Sequence, residues 1–135
     1  MISSVLHYLQ LISDSDPCIR RLAVTEGASV STWLELIEKH PELCEDVALN
    51  KELPIEILEL LANNASKDVR FTIAMKRNLP ETLIQHLASD SCESVRSRIA
   101  FNKKTPLWIL RQLATDPSEL VSTKAQERLN EESGA

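Results

Sequence analysis

Apolar positions in the second half of this chain recur at two intervals, one short and one long. The short interval is helical. Ile57, Leu58, Leu61 and Ala62 follow an i, i+1, i+4, i+5 spacing, which lays one apolar stripe along an α-helix. The long interval is twenty-six residues: the stripe returns as Leu83, Ile84, Leu87 and Ala88, then as Ile109, Leu110, Leu113 and Ala114. Pro54, Pro80 and Pro106 open the three copies, in a first turn that has no intrahelical use for a backbone N–H. The spacing predicts a helix of about ten residues after each proline.

Behind each stripe the pattern changes. Asn64, Asp90 and Asp116 share one column and are residue types that cap a helix N-terminus. A second, shorter helix, in part 3₁₀, is predicted to carry Val69, Val95 and Val121 inward, with Ile73, Ile99, Ala74 and Ala100 behind them. Two weaker copies come earlier. "HPELCEDVALN" sets Leu43, Val47 and Asn50 in the same columns, and "DPCIRRLAV" does so with Ile19 and Ala23. Their first helices are expected in "SVLHYLQLI" and "STWLELIEKH", with a turn around Gly27. The expected organisation is a single helical-repeat domain, 1–135, with repeats at approximately 1–28, 29–52, 53–78, 79–104 and 105–130, and a frayed tail at 131–135.

Near-identical copies have a physical rationale. One helix pair cannot bury its own apolar face, whereas a row of pairs shares a continuous core. The final copy departs from the pattern: Gln126 stands where Ala100 stood, and "KAQERLNEESGA" is polar, as expected of a solvent-facing cap.

The strings "LASDSCESVRSRIAFNKKTP" and "LANNASKDVRFTIAMKRNLP" resemble the leucine-rich repeat variant, a bacterial repeat of about two dozen residues. The likeness rests on Leu-Ala, an Asp-containing turn, Val-Arg, Ile-Ala, Asn, and a proline before the next helix, and it spans residues 41–121. It implies an all-α, right-handed α-solenoid of about four and a half helix-pair repeats, a HEAT/ARM-like superhelix. Some members carry a cysteine-rich iron–sulfur segment. This chain's Cys18, Cys44 and Cys92 form no such cluster, so that activity is not carried over.

Composition narrows the function classes. The formal charge of −5 argues against a general nucleic-acid binder, which ordinarily shows a basic excess. The charge is uneven: residues 1–48 hold three basic and eight acidic residues, whereas residues 67–104 hold eight basic and four acidic. Three widely separated cysteines fit a reducing compartment and are expected to be small buried or half-buried apolar groups. No secretory leader or span-length apolar segment is read, so a cytoplasmic location is expected. His7, His40 and His86 lack ligand spacing, and no phosphate loop or nucleophile elbow occurs. The expectation is no enzyme, no cofactor and no metal. A HEAT-like base-excision glycosylase needs a longer array and an aromatic cleft, against 4% aromatic residues here.

The remaining residues of interest lie off the core columns. Trp108 falls in a column otherwise held by Glu56 and Thr82, so water or a partner should meet it; the alternative is that it folds over the array end. Leu107, Arg111, Gln85, His86 and Leu60 join it as candidate contacts with a partner protein or peptide. Trp33 is expected in the core beside Leu34, Leu36 and Ile37. Arg70 and Arg96 follow inward valines, near Arg98, Lys103, Lys104, Lys76 and Arg77, and form either a phosphate or carboxylate patch, or bonds to helix-end carbonyls or to an Asp of the adjoining turn. The leading functional expectation is a non-enzymatic interaction scaffold, in one version a small inhibitor or immunity-type protein that meets a basic partner through Glu35, Glu38, Glu42 and Glu45. The alternative is a helical repeat that grips nucleic acid with the 67–104 face. Oligomeric state stays open.

Overall fold

A computed structural model describes residues 1–132, which are all-helical and contain no strand. Two compact units divide the chain, Met1–Asn63 and Asn64–Ala135. The first contains α1 (Val5–Ile12), α2 (Pro17–Arg20), α3 (Leu22–Thr25), α4 (Val30–Lys39), a 3₁₀ turn (Pro41–Leu43) leading into α5 (Cys44–Ala48), and α6 (Ile55–Ala62). The second contains α7 (Lys67–Ala74), α8 (Glu81–Ala88), α9 (Glu93–Phe101), α10 (Leu107–Leu113) and α11 (Glu119–Glu132).

The apolar columns lie where their spacing puts them. Leu61 and Leu87 are 0% exposed and Leu113 is 1%, and Val69, Val95, Val121, Ile73 and Ile99 are equally dry. In the first unit α4 packs on α1 and α6; in the second, α9 packs on α7, α8 and α11, and α10 on α11. Trp33 is fully buried and meets Tyr8 edge-on, with ring centroids 5.8 Å apart. Leu34, expected beside it, is exposed, because one residue along a helix turns the side chain about 100° away from the inward face.

Local departures have simple causes. Pro54, Pro80 and Pro106 stand one residue ahead of their helices, and the carbonyl of each accepts from the N–H groups three and four residues on. The second helices are not the shorter ones: α7 has eight residues and α9 nine, both α-helical, against eight in α8 and seven in α10. The Asp column lies two residues ahead of the cap position. Asn64, Asp90 and Asp116 each accept the N–H of the second residue on, Ser66, Cys92 and Ser118. Helix α11 runs for fourteen residues because no proline or glycine interrupts it. Glu131 and Glu132 of the expected tail are therefore helical, and the rest of that tail lies outside the described residues. Cys44 is buried and Cys92 half-buried, but Cys18 is exposed on four-residue α2 beside half-buried Ile19.

Two polar interlocks tie one copy to the next inside the second unit. Arg70 clamps Asp90 through Nε to Oδ2 (2.8 Å) and Nη2 to Oδ1 (3.2 Å), while its Nη1 donates to the Asn64 carbonyl at 2.8 Å. One copy later Arg96 does the same, donating to Asp116 at 2.8 and 3.2 Å and to the Asp90 carbonyl at 2.7 Å. These hydrogen bonds hold both guanidinium groups above their ordinary pKa. Arg20 repeats the carbonyl contact in the first unit, on Asp14 at 2.7 Å.

The second interlock closes helix ends. A helix leaves its last carbonyls without intrahelical donors, and here the following copy supplies them. Asn102 Nδ2 donates to Lys76 O (2.9 Å) and Ala74 O (3.4 Å), while its Oδ1 accepts from Lys104 N. Asn50 bridges Ala23 O and Glu26 O at 2.8 Å each in the first unit, and its Oδ1 accepts from Glu52 N. Twenty-six residues after Asn102 the column holds Arg128, whose Nη1 reaches Ala100 O (2.8 Å) and Asn102 O (3.1 Å). The terminal helix is thus more than a polar lid, since a buried arginine takes over the asparagine's task. Lys76 occupies the same column, and burial pulls its ammonium below the ordinary value.

Replacing Leu87 by Asp places a carboxylate in a dry layer and is expected to cost on the order of 4 kcal/mol or more; the urea midpoint of the variant checks it, and an unchanged midpoint contradicts the inward assignment. Asp116→Ala strips a mostly buried guanidinium of its partner and should cost about 3 kcal/mol, measured the same way. Burial, assisted by Asp46, pushes the Tyr8 hydroxyl up to about 12 from 10.0. A raised folded-state pKa means that the unfolded chain loses this proton first. The stabilisation is therefore complete below pH 10 and drains away toward pH 12, a loss of about 2–3 kcal/mol. The difference in stability between wild type and Tyr8→Phe across that window isolates the effect, and parallel curves contradict it.

Candidate functional site: a basic cleft beside Phe101

In two of the copies the second helix turns a small alanine into the core at its end. In α7 and α9 these are Ala74 and Ala100, both fully buried. The next residue therefore points away from the core. It is large and apolar in both cases: Met75 and Phe101 are each 45% exposed. Leu49 holds the same column in the first unit and is also exposed. No core requirement accounts for three large apolar groups at this position.

Between the ends of α7 and α9 lies a cleft of about 510 Å³. Met75, Arg77 and Asn78 contribute one wall, from the turn that follows α7. Arg98 and Phe101 of α9, with Asn102, Lys103 and Lys104 of its turn, contribute the other. The two turns are pinned side by side by the bonds from Asn102 to Ala74 O and Lys76 O, so the cleft is a product of the repeat interlock. Two shallower depressions adjoin it, one reaching Leu120 and Lys124, the other Phe71 and Ser97, and Phe101 lines both.

The electrostatics are one-sided. Four cations line the main cleft, and none of the described residues lining it is a carboxylate. Arg98 stands with its guanidinium carbon 5.7 Å from the Phe101 ring centroid, and Lys124 Nζ approaches the same ring to 4.3 Å. Arg98 Nε is buried and finds no hydrogen-bond acceptor among the described residues. Leaving a buried charged donor unsatisfied costs free energy.

The residues singled out by sequence fall into three groups. Arg70 and Arg96 are clamped on Asp90 and Asp116, with side chains only 14% and 16% exposed, and so realise the carboxylate-pair alternative. Trp108 is 44% exposed and Leu107 42%. The indole does not fold over the end of the chain; Trp108 Nε1 donates to Glu81 Oε1 at 3.0 Å, back toward the preceding copy. Arg111 shares α10 with them, and Gln85 and His86 lie exposed on neighbouring α8. Glu56 and Leu60 are exposed on α6 of the first unit.

Phe101 and Met75 were not among the expected contacts, and Arg98 was expected only as a neighbour of the Arg70–Arg96 pair. A signal was present, because positions 49, 75 and 101 are all large and apolar one step beyond a buried alanine. Cys92 caps α9, and the N–H groups of Val95 and Ser94 draw its thiol below the usual range. Among the described residues, no three side chains of ligating type stand close enough to hold a metal ion, and no helix is long and apolar enough to cross a membrane.

No family model matches this chain, and neither a curated protein nor a solved structure matches it.

Proposed function

We propose that this chain is a non-enzymatic interaction module, a row of stacked helix pairs of the leucine-rich repeat variant kind, that binds a partner protein through the exposed surface of its helices. One observation carries the reading. Large apolar side chains stand half-exposed at positions the core does not use, namely Leu49, Leu60, Met75, Phe101, Leu107 and Trp108. They sit on, or one residue past, short helices whose opposite faces are dry, and the ends of two of these helices, α7 and α9, are locked by Asn102 and Arg128. Rigid presentation of apolar and aromatic anchors keeps the entropy lost on binding small.

Charge shapes the partner. The first unit carries eleven acidic and four basic residues, and Glu35, Glu38, Glu42 and Glu45 are all exposed there. An inhibitor-like role toward a basic protein is the most concrete version. The nucleic-acid reading of residues 67–104 is weaker, because Arg70 and Arg96 are already committed to carboxylates.

Affinity capture from cell extract, with a partner identified and the pair then reconstituted from purified proteins, tests the reading. Leu107→Ser with Trp108→Ser, or Lys at positions 35, 38, 42 and 45, should weaken the reconstituted complex about tenfold or more without lowering the melting temperature. A complex indifferent to both sets of changes, or no complex at all, overturns it.

A further inference from the structure

We propose that the cleft between α7 and α9 binds an acidic peptide segment, in which carboxylates flank an apolar side chain. This rests on the interaction-module reading and names the chemistry of one contact within it. Arg77, Arg98, Lys103 and Lys104 make no ion pair with any described residue, although Arg70 and Arg96 of the same unit each clamp a carboxylate. A surface that satisfies Arg70 and Arg96 so completely, yet gathers four unpaired cations around one cavity, is complementary to negative charge supplied from outside. Arg98 lines this cavity, and its buried Nε has no hydrogen-bond acceptor among the described residues.

The second requirement comes from the floor of the site. Met75 and Phe101 bring exposed apolar surface directly beside the cations, so a bare inorganic anion would leave half of the cleft unused. The volume, about 510 Å³, holds a few side chains.

A single-stranded nucleic acid also carries anions and flat apolar groups, but the geometry favours the peptide. Base binding needs an aromatic face free for stacking. Here the Phe101 ring already has the Lys124 ammonium 4.3 Å from its centroid and the Arg98 guanidinium at 5.7 Å. Arg98 and the other cations of the cleft instead neutralise carboxylates placed at the rim of the ring while an aliphatic side chain lies against Met75.

Fluorescence anisotropy on the full chain tests this with three dye-labelled probes: a peptide with four glutamates around a central leucine, the same peptide with glutamines, and an oligothymidylate of matched charge. The acidic peptide is expected to bind, the glutamine peptide not, and added salt to weaken the complex. Arg98→Gln should raise Kd about tenfold, and Lys103→Glu with Lys104→Glu should abolish binding. Lys67→Glu, outside the cleft, should change nothing. Melting temperatures confirm that each variant is folded; the reversed lysines are exposed, so they keep the test valid should Arg98→Gln unfold. Equal binding of both peptides, indifference to the cleft variants, or tighter binding of the oligothymidylate overturns the proposal. Should the peptide fail while the reconstituted partner complex still depends on Leu107 and Trp108, the interaction reading stands and the cleft's role falls.

Discussion

A helix of eight residues closes very few hydrogen bonds within itself, so most of its terminal carbonyls must be answered from elsewhere. That constraint organises this protein. Asn102 answers for α7, Arg128 for α9, and Asn50 for α3 and its C-cap Glu26. The same asparagines close their own turns through Oδ1. One side chain thus shapes the turn it belongs to and finishes the helix before it. Burying apolar stripes provides the drive to assemble, but it is tolerant of rotation and slippage. The polar bonds have fixed length and direction, and they set the register in which the stripes meet.

The arginine–aspartate clamp adds a second constraint from the opposite end of the same helices. Arg70 and Arg96 each satisfy a turn carbonyl of their own copy and a carboxylate of the next, and Asp90 accepts both the Arg70 guanidinium and the Cys92 N–H. Little is left over for an external ligand. The side chains to which neither interlock makes a demand are Met75 and Phe101, beside the turns that Asn102 pins together.

Repetition governed what could be read from the sequence. Leu61, Leu87 and Leu113 were legible as core because three copies agree, whereas the column of Trp108, shared with Glu56 and Thr82, left open whether the indole faces out or folds over the array end. Where a column changes residue type the reading faltered. Arg128 looks like one more charge on a polar terminal helix, and nothing in its identity says that it replaces Asn102. Leu34 was grouped with the core on apolarity alone, although the helical angle from Trp33 turns it outward. The cations of the basic cleft were legible as neighbours of Arg70 and Arg96 in a patch, but not as a group distinct from that pair. Deciding which of those cations are spent required the carboxylate partners twenty residues ahead, and those depend on how turns from successive copies lie together.

The spacing between donor and acceptor gives this molecule a unit of length. Excising residues 79–104 as a block would set Arg70 opposite Asp116 and Arg128 opposite Ala74, the same handshakes between different neighbours. Excising one residue fewer would leave every hand beyond the cut reaching for the wrong atom. Such a chain can grow or shrink by whole modules and by little else, so its evolutionary variation in size should come in steps.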